Sequence, residues 1–152
     1  MPNIYPVTQI VIPYTVPAEE QKYVMVQEAD SKQWCQPGGG LNPSDYSYLT
    51  AGCREINEET GLNAVIDGFI RSYNFISSNG NRILSIVLSA RIISGSLKPR
   101  DKDILRASAF TLGEIREMQE RRELRSGMAN VEPIEDYLRD GVLPLSRIFK
   151  NI

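Results

Sequence analysis

Apolar and polar positions along this chain alternate in two rhythms, one of period two and one near 3.6, and the changes of rhythm fall on Gly, Pro, Asn and Asp. Residues 6–16 (PVTQIVIPYTV) are apolar and β-branched and predict a strand. Residues 22–26 (KYVMV) predict a second and 34–36 a short third. Pro37-Gly38-Gly39-Gly40 then breaks regular structure, and Asn42-Pro43-Ser44-Asp45 prolongs the loop. Over 47–60 the rhythm is helical, with Ser47 as N-cap and Gly61 as a left-handed stop. A β-rich stretch follows over 64–76, with Gly68 marking a bulge. Ser78-Asn79-Gly80-Asn81 signals a hairpin turn, and 82–93 returns as an apolar strand. Residues 94–103 read as a loop, 107–110 as a short strand, and 111–122 and 131–140 as helices. With no internal repeat and no linker composition, the expected architecture is one α/β domain over 1–152, its helices packed on a mixed β-sheet.

Composition narrows the chemistry. At 152 residues, folding buries roughly two-thirds of the unfolded surface, enough core to stand without disulfides or a structural metal. A net charge of −2 with scattered Lys and Arg gives no reason to expect a nucleic-acid partner. The dense run at 116–125 intersperses Glu with Arg, as a solvated helix face does. Cys35 and Cys53 make neither a disulfide framework nor a zinc site. The chain has no histidine, which removes His-ligated metals, Ser-His-Asp triads and Cys-His pairs, and leaves acid–base and metal work to carboxylates. No apolar stretch reaches membrane-spanning length and no basic-then-apolar leader opens the chain, so a cytoplasmic location with no membrane partner is expected.

The chemistry concentrates in Arg54-Glu55-Ile56-Asn57-Glu58-Glu59-Thr60-Gly61-Leu62. On a helical wheel Leu49, Gly52, Cys53, Ile56 and Thr60 form the expected buried face. Glu55, Glu58 and Glu59 gather on a neighbouring side, with Arg54 four residues from Glu58. As a purely structural device this is poor. Like charges three and four residues apart cost about 0.2–0.5 kcal/mol per pair, and anions in the last turn meet the negative end of the helix dipole. A hard divalent cation such as Mg²⁺ or Mn²⁺ removes both penalties and leaves coordination positions for phosphate.

The same nine residues resemble the second half of the Nudix box, Arg-Glu-U-X-Glu-Glu-X-Gly-U with U bulky and apolar, at every defined position. Pro37-Gly38-Gly39-Gly40 resembles its opening. The signature has a glutamate eight residues before the arginine, where this chain has Tyr46. The resemblance to MutT-like Nudix hydrolases implies an α/β/α sandwich and hydrolysis of a diphosphate linkage in a nucleotide or related small pyrophosphate compound. It also implies Mg²⁺ or Mn²⁺ held mainly by Glu58 and Glu59, Glu55 as ligand or base, and Arg54 orienting a carboxylate. A narrower likeness, to bacterial NudJ-type phosphatases, runs through Trp34-Cys35-Gln36-Pro37, Asp101-Lys102-Asp103-Ile104 and the tail (Leu124-Arg125-Ser126, Ile134, Tyr137, Gly141, Pro144-Leu145).

Several positions keep two readings. Counted forward from Gly39 as the box glycine, the missing carboxylate falls on Asp45 rather than Tyr46, as a one-residue loop insertion would produce; Asp45 also suits a turn or cap. Gly39 and Gly40 are expected beside substrate. Trp34 suits base stacking or the core, and Asp103, with Asp101, suits a further loop ligand or a solvated turn. Tyr73 and Phe75 read as packing residues, and Arg71, Arg82 and Arg91 as phosphate contacts that nothing selects among. A homodimer is compatible with the sequence. The rival to a hydrolase is a Nudix-fold binding or regulatory module without catalysis, favoured by Tyr46 and opposed by the complete Arg54/Glu55/Glu58/Glu59 set.

Overall fold

Strand alternation divides the core in two. In the computed structural model, which describes residues 3–150, Ile10 and Ile12 point into one core and Val11 into the other; Val24 opposes Tyr23 and Met25, and Leu88 opposes Val87. The expected span of 1–152 extends past the described residues at both ends. One core is closed by Ile56 of helix α1 (Tyr48–Thr60) and Leu145 of the short α4 (Leu145–Ile148). The other is closed by Ile115 and Met118 of α2 (Leu112–Glu120) and Ile134 of α3 (Glu132–Asp140). Helices therefore cover both faces of the strand layer, giving the expected α/β/α sandwich.

The strands fall into two sheets. The first has the order β5 (Gly38–Gly40), β1 (Ile4–Val11), β7 (Arg82–Gly95), β6 (Leu62–Ile76), with β1 and β7 parallel and the other pairs antiparallel, so it is mixed. In the second, β3 (Lys22–Glu28) pairs along one edge with β8 (Ile104–Thr111) and along the other with β2 (Pro13–Tyr14) and β4 (Trp34–Cys35). The run expected as one strand over 6–16 is thus two strands in two sheets. It changes sheet at Ile12, whose carbonyl accepts from Val24 N at 3.0 Å, next to Pro13, which has no N–H to offer a ladder. Along β6 the register slips between Ile66 and Gly68, the position expected for a bulge.

The glycine run departs from expectation: 38–40 is an edge strand, antiparallel to β1, with Gly38 opposite Gln9 and Gly39 opposite Thr8. Glycine is required at Gly38, where φ is +151° and a Cβ would lie 2.1 Å from the Thr8 carbonyl oxygen. A 3₁₀ turn (Gly127–Asn130) and α4 also lie outside the expected elements.

Helix α1 begins and ends as its sequence dictates. The Ser47 hydroxyl accepts from Thr50 N, and Gly61, at φ +79°, donates its N–H to the Asn57 carbonyl. Its last turn carries no basic residue, yet backbone N–H groups of the β7–β8 connection satisfy its carbonyls. Lys98 N donates to Thr60 O at 2.8 Å, and Arg100 N and Asp101 N donate to Glu58 O at 2.8 and 2.9 Å.

Candidate active site

Strand β5 lies against the carboxylate side of α1, and this rotates the buried arc of the helix. The buried residues are Ala51, Gly52, Glu55, Ile56, Glu59 and Thr60. Cys53, expected on the buried face, is exposed, its sulfur turned toward the Ala64 carbonyl. Glu55 and Glu59, expected beside that face, are 8% and 6% exposed. The Glu59 carboxyl is held well above the usual carboxylate range, first by burial, then by the charge of Glu55 and a hydrogen bond shared with it; the Gly38 backbone donor opposes the shift and Asp101 adds to it.

Arg54 gathers the remaining acids. Its Nε and Nη2 take the two oxygens of Asp45 at 3.1 and 2.8 Å, a bidentate grip. Nη1 donates to Glu55 Oε1 at 2.9 Å and Glu58 Oε2 at 3.1 Å, and Nη2 also reaches the Gly40 carbonyl at 3.3 Å. Asp45 Oδ2 further accepts from Asn42 N at 2.7 Å, and the Arg54 contact together with this backbone donor holds its carboxyl below the usual range. Tyr46, at the signature position, is 97% exposed.

Gly39 presses on Glu55: a Cβ there would stand 2.7 Å from Oε1. Chemically this is a pair of buried, mutually repelling carboxylates, a third acid at the surface and a guanidinium fixing the group. Among the described residues no three acidic or cysteine side chains converge tightly enough to form a ready-made cation cage. The Glu55–Glu59 pair nonetheless suits a hard cation, because its two oxygen donors repel unless a proton or a cation lies between them.

The NUDIX domain profile matches residues 8–131, which takes in β5, the whole of α1 and both sheets apart from the first half of β1. The chain belongs to the Nudix hydrolase family. A NUDIX hydrolase from Nitrosomonas europaea is similar over 99% of this chain and 98% of its own, with 27% identity and a TM-score of 0.84. The NUDIX domain of Shewanella oneidensis NrtR, solved with ADP ribose, is 14% identical with a TM-score of 0.75, covering 91% of this chain and 90% of its own. The MutT protein from Methanosarcina mazei is 19% identical with a TM-score of 0.70, covering 91% and 96%. No curated protein matches the sequence. The profile match places the chain in the Nudix family; the structural likenesses show the same fold, and neither singles out the narrower NudJ type.

Other expected site residues of this Nudix chain are distributed unevenly. Of the two roles open to Trp34, the structure describes packing: it is 8% exposed, set edge-to-face on Phe110 at 4.9 Å, with Arg106 5.5 Å over its ring. Asp103 is an exposed turn residue whose backbone N–H donates to Asp101 Oδ1 and whose carbonyl accepts from Ala29 N. Tyr73 packs against the core, and Arg71 pairs with Asp140 at 3.0 Å. A cavity of about 650 Å³ beside Trp34 and Arg106 shares no lining residue with the Arg54–carboxylate group. A smaller one, about 130 Å³, is also lined by none of the group's own residues, but Gly38 and Gly39 wall it and Gly39 presses on Glu55.

Sequence reasoning passed over the polar residues of that smaller cavity. Gln9, Gln36 and Asn130 line it, all buried and joined by hydrogen bonds, and Gln9 also accepts from the buried Ser85 hydroxyl, which lies outside the lining. The available signal was a glutamine, Gln9, inside an otherwise apolar strand. Such a residue must find partners there or destabilise the core.

Proposed function

We propose that this chain is a divalent-metal-dependent hydrolase of a phosphoanhydride bond in a nucleoside di- or triphosphate or a related small pyrophosphate compound. The observation that carries the reading is the buried Glu55–Glu59 pair, pressed by Gly39 of β5 and braced by Arg54. Burying two like charges is costly unless a cation joins them. Glu55 and Glu59, with Glu58 through the carboxylate oxygen that Arg54 leaves free, would hold Mg²⁺ or Mn²⁺, which when bound would neutralise phosphate oxygens and acidify water.

The protein's own residues do the rest. Asp45 and Glu58 hold Arg54 in place, and Arg54 holds Glu55. Glu55 serves as general base and takes a proton from the attacking water. The water oxygen bonds to phosphorus as the bridging P–O bond breaks. The products are a phosphomonoester and phosphate or pyrophosphate. Gly39 and Gly40 leave room for the phosphate chain.

Tyr46 was the feature favouring a non-catalytic binding module. Asp45 answers it, because the arginine's carboxylate partner is present one residue earlier. The test is metal-dependent phosphate release from a panel of nucleotides and pyrophosphate compounds. Glu58→Gln and Glu59→Gln should each lower kcat at least about a hundredfold while the fold survives. Near-normal turnover in either variant would remove that residue from the mechanism. No release in the wild type would favour the binding module.

A further inference from the structure

The second sheet ends in an open edge. Val24 donates its N–H to the Ile12 carbonyl at 3.0 Å, on the side of β3 away from β8. The opposed pair Val24–Ala109 therefore exchanges no hydrogen bonds, and the N–H and C=O of Ala109 point away from β3. Those of Ala107, two residues earlier, do the same. No strand pairs with this outer edge of β8, and these four groups have no partner among the described residues. Exposed edges are commonly guarded by Lys, Pro, a bulge or a covering segment. Residues 107–109 read Ala-Ser-Ala, and the one register shift of the β3–β8 ladder lies at its far end, between Gln27 and Glu28. Beside the edge lies not a cover but the cavity of about 650 Å³, with Leu97 and Pro99 on one wall and Glu117 and Met118 on another.

The two ends of the edge carry opposite, unmatched charges. Arg106 is exposed, donates through Nε to Gln27 Oε1 at 3.0 Å and lies over Trp34; no carboxylate pairs with it among the described residues. At the other end the exposed Glu114 accepts from Thr111 N at 2.7 Å, and no cation pairs with it among the described residues. Five residues of strand, about 16 Å, separate Arg106 from Thr111. The two charges are thus placed to meet between chains and not within one. We propose that β8 is a self-association edge, pairing antiparallel with β8 of a second copy about a two-fold axis at Ser108. This register joins Ala107 and Ala109 to Ala109 and Ala107 of the partner subunit through four new backbone hydrogen bonds. It sets each Arg106 beside Phe110 and Glu114 of the partner subunit, and covers Leu105, now 49% exposed, with Thr111 of the partner subunit. An extended peptide of one charge sign would answer only one end of the edge; an inverted copy answers both.

Sedimentation of the full chain over a range of concentrations should show a reversible dimer of twice the single-chain mass. Ala109→Pro removes an N–H that faces outward and leaves the ladder to β3 whole. It should weaken dimerisation about thirtyfold or more, since the two-fold loses two hydrogen bonds at once, and keep the circular dichroism spectrum of the wild type. Arg106→Glu and Glu114→Lys each set like charges against each other at both ends of the paired edge, so each alone should be monomeric. Mixed in equal amounts they should form a heterodimer, because opposite charges then meet at both ends. A wild type that stays monomeric at the highest soluble concentration overturns the inference, as does a folded Ala109→Pro that dimerises like the wild type. If Ala109→Pro does not fold, the charge variants decide. A mixture more dimeric than either component upholds the inference, and one no more dimeric than its components overturns it.

Discussion

Asp45 grips Arg54 through both oxygens, and this one contact changes what a substitution in the loop should do. Asp45→Asn keeps an acceptor for Asn42 N but removes the charge, so Arg54 shifts toward Glu55 and Glu58. We expect kcat to fall about tenfold, as when a partner orienting a ligand is lost, while Tyr46→Glu, on a side chain 97% exposed, leaves turnover unchanged. Steady-state kinetics on the two variants checks this. The pH dependence has a definite sign. Asp45 is held below the usual carboxylate range, so its contribution to stability is full above that range and is lost as pH falls through the depressed value. Asp45→Asn should therefore melt below the wild type at neutral pH, and the two melting curves should converge in acid. A silent Asp45→Asn would defeat the role given to this pair. Asp45 was legible as a candidate because loop length is cheap to vary and helix spacing is not, so counting from each end bracketed it. Cys53 was misplaced because a wheel assumes one burying partner, whereas α1 has the sheet on one side and β5 on the next.

At the scale of elements, β5 was invisible because a run of glycines has no side-chain rhythm to read, and its pairing with β1 depends on residues thirty positions away. Helix α1 was legible to the residue, since its caps are local chemistry at Ser47 and Gly61. The glycines of β5 should separate by substitution. Gly38→Ala drives a Cβ to 2.1 Å from backbone at a φ of +151°, and should lower stability by more than about 1 kcal/mol, read from denaturant midpoints. Gly39→Ala meets instead the flexible end of Glu55 at 2.7 Å; it should melt close to the wild type and lose turnover. If Gly39→Ala keeps full activity, contact between β5 and Glu55 does not position the base.

Across the whole molecule, helices packed on a mixed sheet were legible in the sequence and the α/β/α order in the resemblance to the family, but the division into two sheets was not. Both strands of the 6–16 run carry the same apolar pattern, and only the pairing partners, distant in sequence, tell them apart. No helix among the described residues is long and apolar enough to cross a membrane. If the acids of α1 join around a cation, binding should stabilise the entire fold by linkage. Saturating Mg²⁺ or Mn²⁺ should raise the melting temperature, and Glu59→Gln should abolish most of the rise; an unmoved wild type would count against the site. The connection from β7 to β8 gives this site a hidden freedom. Three of its backbone N–H groups do for the end of α1 what lysine or arginine side chains do elsewhere, so the last turn can be acidic without a basic residue to balance it. Main-chain atoms impose no demand on residue type. As far as this cap is concerned, positions 98 and 100 can therefore drift through almost the whole alphabet of side chains over evolutionary time, with proline barred because it has no N–H to give, while 101 keeps the separate demand of the Asp103 N–H that its carboxylate accepts.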